Sequence, residues 1–171
     1  MTESPAFKRF VVGIDGSEDA ARALEVAIRL ARATGAEIVA VYAVESSVRQ
    51  THAGLYGRRL VPPGHGRVTP VDQFVHRWCR PLALAGVPYR TIVQAGSPAL
   101  VIEAVADSLD ADLVVVGRRG LGSIAGLVLG SVSEHLTHIA RRPVLLVSRP
   151  PEAGSEYAAG TPATQSAPAG R

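Results

Sequence analysis

The sequence predicts an α/β fold, an open parallel sheet covered by helices on both faces, and three observations carry that expectation. Short apolar runs alternate with longer segments whose apolar residues recur at helical spacing. The run at 113–116 is continuous in Leu and Val, as in a strand buried on both sides. The first and fourth runs also pass directly into Asp15-Gly16-Ser17 and Gly117, which is turn chemistry at the point where a strand hands over to a helix.

The elements follow in order. Residues 10–14 form a buried strand, and Ser17 after the Asp-Gly turn reads as a helix cap more than as a phosphate ligand. From 18 to 34, Ala20, Leu24, Ala27, Ile28 and Ala31 mark one helix face, and Gly35 stops the helix. Residues 38–44 are the second strand. The stretch 45–70 carries Gly54, Gly57, Pro62, Pro63, Gly64 and Gly66 and reads as a long irregular, mobile or partner-facing loop. A helical pattern over 71–85 contains Pro81, which should kink it or end it early. Residues 89–93 form the third strand, and Ser97-Pro98 opens a helix through 109 with proline at its first position. A fourth strand at 113–116, a helix over 131–140 and a fifth strand at 143–147 complete the order. From Pro150 the composition shifts to Ala, Gly, Pro, Ser and Thr. The division is therefore a folded domain over 1–149 and a disordered tail over 150–171.

Composition narrows the function. The net charge of +3 is too small and too scattered to argue for a nucleic-acid partner. Lys8 is the only lysine and Cys79 the only cysteine, which leaves no disulfide framework and no thiolate cluster. The first ten residues hold no apolar stretch of signal-peptide length, and no run is long enough to span a bilayer. The expectation is a cytoplasmic protein without a membrane partner.

Chemistry concentrates between Gly117 and Ser133. Gly117 ends a strand, Gly120 and Gly122 let the backbone turn with its amides bare, and Gly130-Ser131 opens a helix. Glycines keep side chains away from a phosphate, and the amides and dipole of a helix start favour anions. Ser131 and Ser133 read as added hydroxyl donors. Gly120-x-Gly122-x-x-Ala125 is a weak dinucleotide fingerprint, since no acid follows about twenty residues on. A Walker loop is excluded, because no Gly-Lys-Ser or Gly-Lys-Thr occurs.

The spacing Gly117-x2-Gly120-x9-Gly130-Ser131 resembles the nucleotide loop of the universal stress protein family, in its ATP-binding branch. The resemblance extends to Val12-Gly13-Ile14-Asp15-Gly16-Ser17, to Gly96-Ser97-Pro98, to 111–117 and to 142–147, and so covers about 7–149. It implies a single five-stranded parallel sheet in the order 3-2-1-4-5, adenine nucleotide α-hydrolase-like. It also implies a homodimer paired through the last strand, Val144–Val147, with ATP and Mg2+ as ligands. Carried over by position, Gly13 and Asp15 belong to the nucleotide site, with Asp15 contacting the ribose or a bound metal. Ala43 borders the adenine, Val116 and Gly117 line the ribose side, and Gly120, Gly130, Ser131 and Val132 hold the phosphates. Arg118-Arg119 and the stretch 46–70 lie outside the family pattern.

No catalytic residue is assigned. His135 and His138 lie three apart with no further placed zinc ligand, and they read as a solvated helix face. No Gly-x-Ser-x-Gly elbow occurs, and His76 has no evident Ser or Asp partner. A regulatory ATP-binding protein is the leading reading. Its rivals are a slow ATPase or nucleotidyl-transfer enzyme of the same architecture, and a cyclic-nucleotide-binding or nucleotide-free dimer.

Overall fold

The computed structural model describes residues 7–44, 59–60, 70–121 and 129–148. In chain order the elements are β1 (Arg9–Gly13), α1 (Glu18–Thr34), β2 (Glu37–Val44), β3 (Arg59–Leu60) and α2 (Pro70–Ala85). They continue with β4 (Tyr89–Ala95), α3 (Pro98–Ser108), β5 (Leu113–Gly117), α4 (Ser131–Ile139) and β6 (Val144–Val147). The sheet order is β3-β4-β2-β1-β5-β6. Its five parallel strands, counted by themselves, stand in the expected order 3-2-1-4-5.

Strand alternation assigns each side chain to a layer. Phe10, Val12 and Ile14 of the first strand region pack with Ala40, Val115, Leu24, Ile28 and Leu82, under α1 and α2. Val11, Val39, Val41, Val114 and Val116 face the other way, onto Ile102 and Val105 of α3 and Leu136 of α4. Each of these fully buried aliphatic side chains contributes on the order of 1.5–3 kcal/mol. β1 therefore lies in the middle, with Val12 opposite Ala40 on one side and Val115 on the other. At the amino-terminal edge Glu37 binds Arg9 and Arg90, each at 3.0 Å, and so ties three adjacent strands together at the end away from the glycine loop.

Local chemistry sets the helix ends. The Ser17 hydroxyl accepts the Ala20 N–H at 3.1 Å and caps α1, as expected. Gly35 takes φ 75° beyond its last turn. α3 begins at Pro98, although Ser97 makes no side-chain cap bond. Cys79 is buried in the core under α2, and burial pushes its thiol up to about 12, so it stays neutral at physiological pH.

The helix expected over 71–85 is present, and of the two outcomes expected of Pro81 the early end does not occur: α2 continues through it to Ala85. Pro81 and Arg77 are exposed while Val75, Cys79 and Leu82 bury the opposite face, so the carbonyl deprived of its partner sits on the side open to water. Within the stretch expected to be irregular, Arg59–Leu60 forms a two-residue strand antiparallel to β4. So short a segment has no periodicity to read; the open edge of β4 supplies its pairing. Residues 45–58 and 61–69 of that stretch, the segment 122–128 and residues 149–171, with the tail expected from 150, lie outside the described residues. Among the described residues no helix is long and apolar enough to cross a membrane.

Candidate functional site

Two strand-to-helix junctions meet at the carboxyl end of the sheet, where parallel α/β folds bind ligands. The first, β1 to α1, turns through Asp15, Gly16 and Ser17. Asp15 Oδ1 accepts the Ser17 N–H at 2.9 Å, which closes the turn locally. Gly16 has φ +90°, and a Cβ there would lie 2.9 Å from the Phe74 ring. Phe74 stacks on Tyr42 of β2, with centroids 4.6 Å apart, and meets Trp78 at 6.0 Å. Aromatic rings of α2 and β2 thus cover this turn.

The second junction, β5 to α4, crosses from Gly117 to Ser131. A Cβ at Gly117 would stand 2.7 Å from the Ala20 nitrogen, so only glycine lets the end of β5 approach the first turn of α1 this closely. The Gly130 N–H donates to Arg118 O at 2.9 Å and closes the base of the loop. α4 then begins with Gly130 as N-cap and no side-chain cap bond. Ser131 is exposed at its first position, and Val132 is half-buried against the core.

Carboxylates of the first junction reach into the second. Asp15 Oδ2 accepts the Leu121 N–H at 3.3 Å, and a Cβ on Gly120 would lie 2.6 Å from the same oxygen. Asp19 Oδ2 accepts the Arg119 N–H at 3.1 Å, while the Ser17 hydroxyl donates to Arg119 O at 3.4 Å. The loop amides are therefore not all bare, as the sequence suggested. Those of Arg119 and Leu121 are held by side chains about a hundred residues away in sequence.

The structure gathers Asp15, Gly117, Gly120, Gly130, Ser131 and Val132 around the two junctions. Gly13 and Val116 are placed differently. A Cβ on Gly13 would meet Ile102 at 2.8 Å and Val116 at 3.1 Å, and Val116 is 4% exposed. Their side-chain positions belong to the core under α3, which leaves only their backbone for a ligand. Ala43 lies half-buried on β2, two residues beyond Val41, whose carbonyl accepts the Ile14 N–H. Ser133 is corrected as a phosphate donor: its buried hydroxyl donates to Gly117 O at 2.7 Å and fastens α4 to β5.

Sequence reasoning missed Asp19. As an acid in a first helical turn it reads as an ordinary complement to the helix dipole, and no local pattern reports a partner a hundred positions away. The Nε atoms of Arg118 and Arg119 are buried without a hydrogen-bond partner among the described residues. His135 and His138 are exposed, in accord with a solvated face. Among the described residues no group of three or more His, Cys, Asp or Glu side chains could hold a metal ion.

Comparison with known proteins agrees with this architecture. The universal stress protein family model matches residues 6–148. A universal stress protein of Mycobacterium tuberculosis is 34% identical over 148 residues, covering 83% of this chain and 97% of that protein. A solved universal stress protein in complex with cAMP matches with TM-score 0.62 at 28% identity, over 84% of this chain and 98% of its own. The hypothetical protein MJ0577 matches with TM-score 0.68 at 21% identity, over 85% and 98%, a likeness of fold alone.

Proposed function

This chain belongs to the universal stress protein family, and from that premise we propose that it is a regulatory protein that binds ATP with Mg2+ across the β1 and β5 junctions. One observation carries the reading. α4 starts without a side-chain cap, beside a loop whose Gly120 and Gly130 keep side chains out of the space between the junctions. Uncapped first-turn amides and the helix dipole are what a phosphate chain needs, and there is no loop lysine to do the same work. The amides of Ser131 and Val132 and the Ser131 hydroxyl would hold phosphates, with Gly120 admitting the chain. Gly117 and the backbone of Gly13 and Val116 would border the ribose, and Ala43 the adenine.

The residues present fit these groups. Arg118 and Arg119, whose Nε atoms are buried without a hydrogen-bond partner among the described residues, add positive charge to the loop. Asp15 offers a carboxylate oxygen that could hold Mg2+ beside the phosphates. Bound Mg2+ neutralises phosphate charge; the chain's own residues position the nucleotide. No catalytic residue is assigned, and the reading is regulatory: occupancy changes conformation or partner choice, and any turnover is slow.

Calorimetric titration of ATP with Mg2+ tests this, with circular dichroism confirming the fold of each variant. One hydrogen bond to a charged group is worth about 1.5–3 kcal/mol, or roughly ten- to a hundredfold in affinity. Gly120→Asp is expected to lose at least that much, through occlusion and repulsion, and Ser131→Ala less, because its amide remains. Wild-type affinity in a folded Gly120→Asp protein would remove the nucleotide from this loop.

The solved relative in complex with cAMP favours a second reading, a cyclic-nucleotide site. Tighter binding of cAMP than of ATP would select it. We also propose a homodimer through β6, whose outer edge ends the described sheet and whose Val144, Leu145 and Leu146 are only half-buried. Light scattering should report a monomer for folded Leu145→Asp, and a persistent dimer would place the interface elsewhere.

A further inference from the structure

Arg119 is the residue on which the two junctions converge. Its N–H is held by Asp19 Oδ2 at 3.1 Å, its carbonyl accepts from Ser17 Oγ at 3.4 Å, and its Cα lies 3.2 Å from where a Cβ on Gly130 would stand. Every one of these contacts acts on backbone, so together they fix the path of the loop rather than the arginine side chain. Asp19 is the rigid member of the set. It is 7% exposed, it sits in the first turn of a seventeen-residue helix, and that turn is itself capped by Ser17. The end of β5 packs on the same turn, since a Cβ at Gly117 would strike the Asp19 and Ala20 backbone at 2.7 Å. Asp15, by contrast, is half-buried and holds Leu121 by a longer 3.3 Å bond.

We propose that Asp19 is a positioning residue that registers the phosphate-binding loop against α1 through the Arg119 amide. The proposal rests on the reading of this loop as the phosphate site. A buried acceptor fixed to a capped helix turn sets where the next two residues go. Gly120 then faces Asp15 Oδ2, and the Leu121 amide comes within its reach. Without the acceptor, the Arg119 amide has no fixed partner on α1, and the loop loses its register with the start of α4 at Gly130. The effect is confined to what the loop touches. A nucleotide's phosphates depend on that register, and the nucleoside portion, bordered by backbone of β1 and β2 and by the end of β5 ahead of Arg119, does not.

The experiment uses the full chain, wild type, Asp19→Ala and Asp19→Asn, with three readouts: amide exchange at Arg119 in the nucleotide-free protein, ATP titration with Mg2+, and adenosine affinity by competition. Asp19→Ala is expected to speed exchange at Arg119 and to weaken ATP about tenfold, with adenosine unchanged. Asp19→Asn retains an acceptor oxygen and is expected to restore both. A general loss of stability would weaken ATP and adenosine in parallel, and that result overturns the proposal. So does unchanged exchange at Arg119 in Asp19→Ala, or an Asn variant that behaves like Ala. If wild type binds neither ATP nor adenosine, the nucleotide reading fails instead, and exchange at Arg119 alone decides whether Asp19 is the anchor.

Discussion

The two junctions share one backbone geometry at the helix cap and differ in nearly everything attached to it. Ser17 caps α1 at φ −76°, ψ 159°, and Gly130 caps α4 at φ −79°, ψ 155°. At the first, the serine hydroxyl satisfies an orphan helix amide, two acids occupy the first turn, and aromatic rings cover the preceding glycine. At the second, the cap has no side chain, and the loop before it is held by carboxylates belonging to the first. One junction completes itself, and the other is left with donors to offer. The same cap geometry thus serves a closed, self-capped turn at one junction and, in the proposed reading, an anion-accepting one at the other.

The sharpest way to break the comparison is to add one methyl group to each junction. Gly16→Ala forces a Cβ onto a φ of +90° and into Phe74 at 2.9 Å, and about 2–3 kcal/mol of stability should be lost in denaturant unfolding. Gly120→Ala meets only the end of the Asp15 side chain, which can turn away, and should cost less than about 1 kcal/mol. Equal losses would mean that the second junction is as structural as the first.

A smaller effect sharpens the comparison from the other side. Gly130→Ser gives α4 the cap that α1 already has, at a backbone geometry that suits it. The new hydroxyl would compete with phosphate for the first-turn amides, and ATP affinity should fall roughly tenfold. Its Cβ must be accommodated against the backbone of residues 118–120, at 3.2–3.4 Å, so unfolding is measured in parallel. Undiminished affinity in a folded Gly130→Ser protein would show that the free amides of α4 are not what binds the nucleotide.

Much of the fold was legible from the chain. The continuous apolar runs of 10–14 and 113–116, the cap at Ser17, the stop at Gly35 and the proline at 98 are short-range signals, each set by residues within a turn of one another. Whether Pro81 would end its helix was not legible, because sequence shows the missing N–H but not which face of the helix points to water. Arg59–Leu60 was invisible because a two-residue strand is defined by its partner. At the site, the loop glycines were legible as a spacing, but their separate duties were not. Gly117 answers to the backbone of α1, Gly130 to that of residues 118–120, and Gly120 to the Asp15 carboxylate.

By itself, then, the sequence determined the alternation of the longer elements, the burial of the central strands and the positions at which glycine opens the backbone. These depend on periodicity, capping and side-chain size, all of which are local. Only the tertiary structure decided how the open positions are used. The β1 and β5 junctions become neighbours because their strands pair in the sheet, and pairing brings Asp15, Ser17 and Asp19 to amides and carbonyls a hundred residues away. A hydrogen bond between such distant groups leaves no trace in the spacing of either segment. It arises when two junctions, each legible separately, are packed against the same end of one sheet.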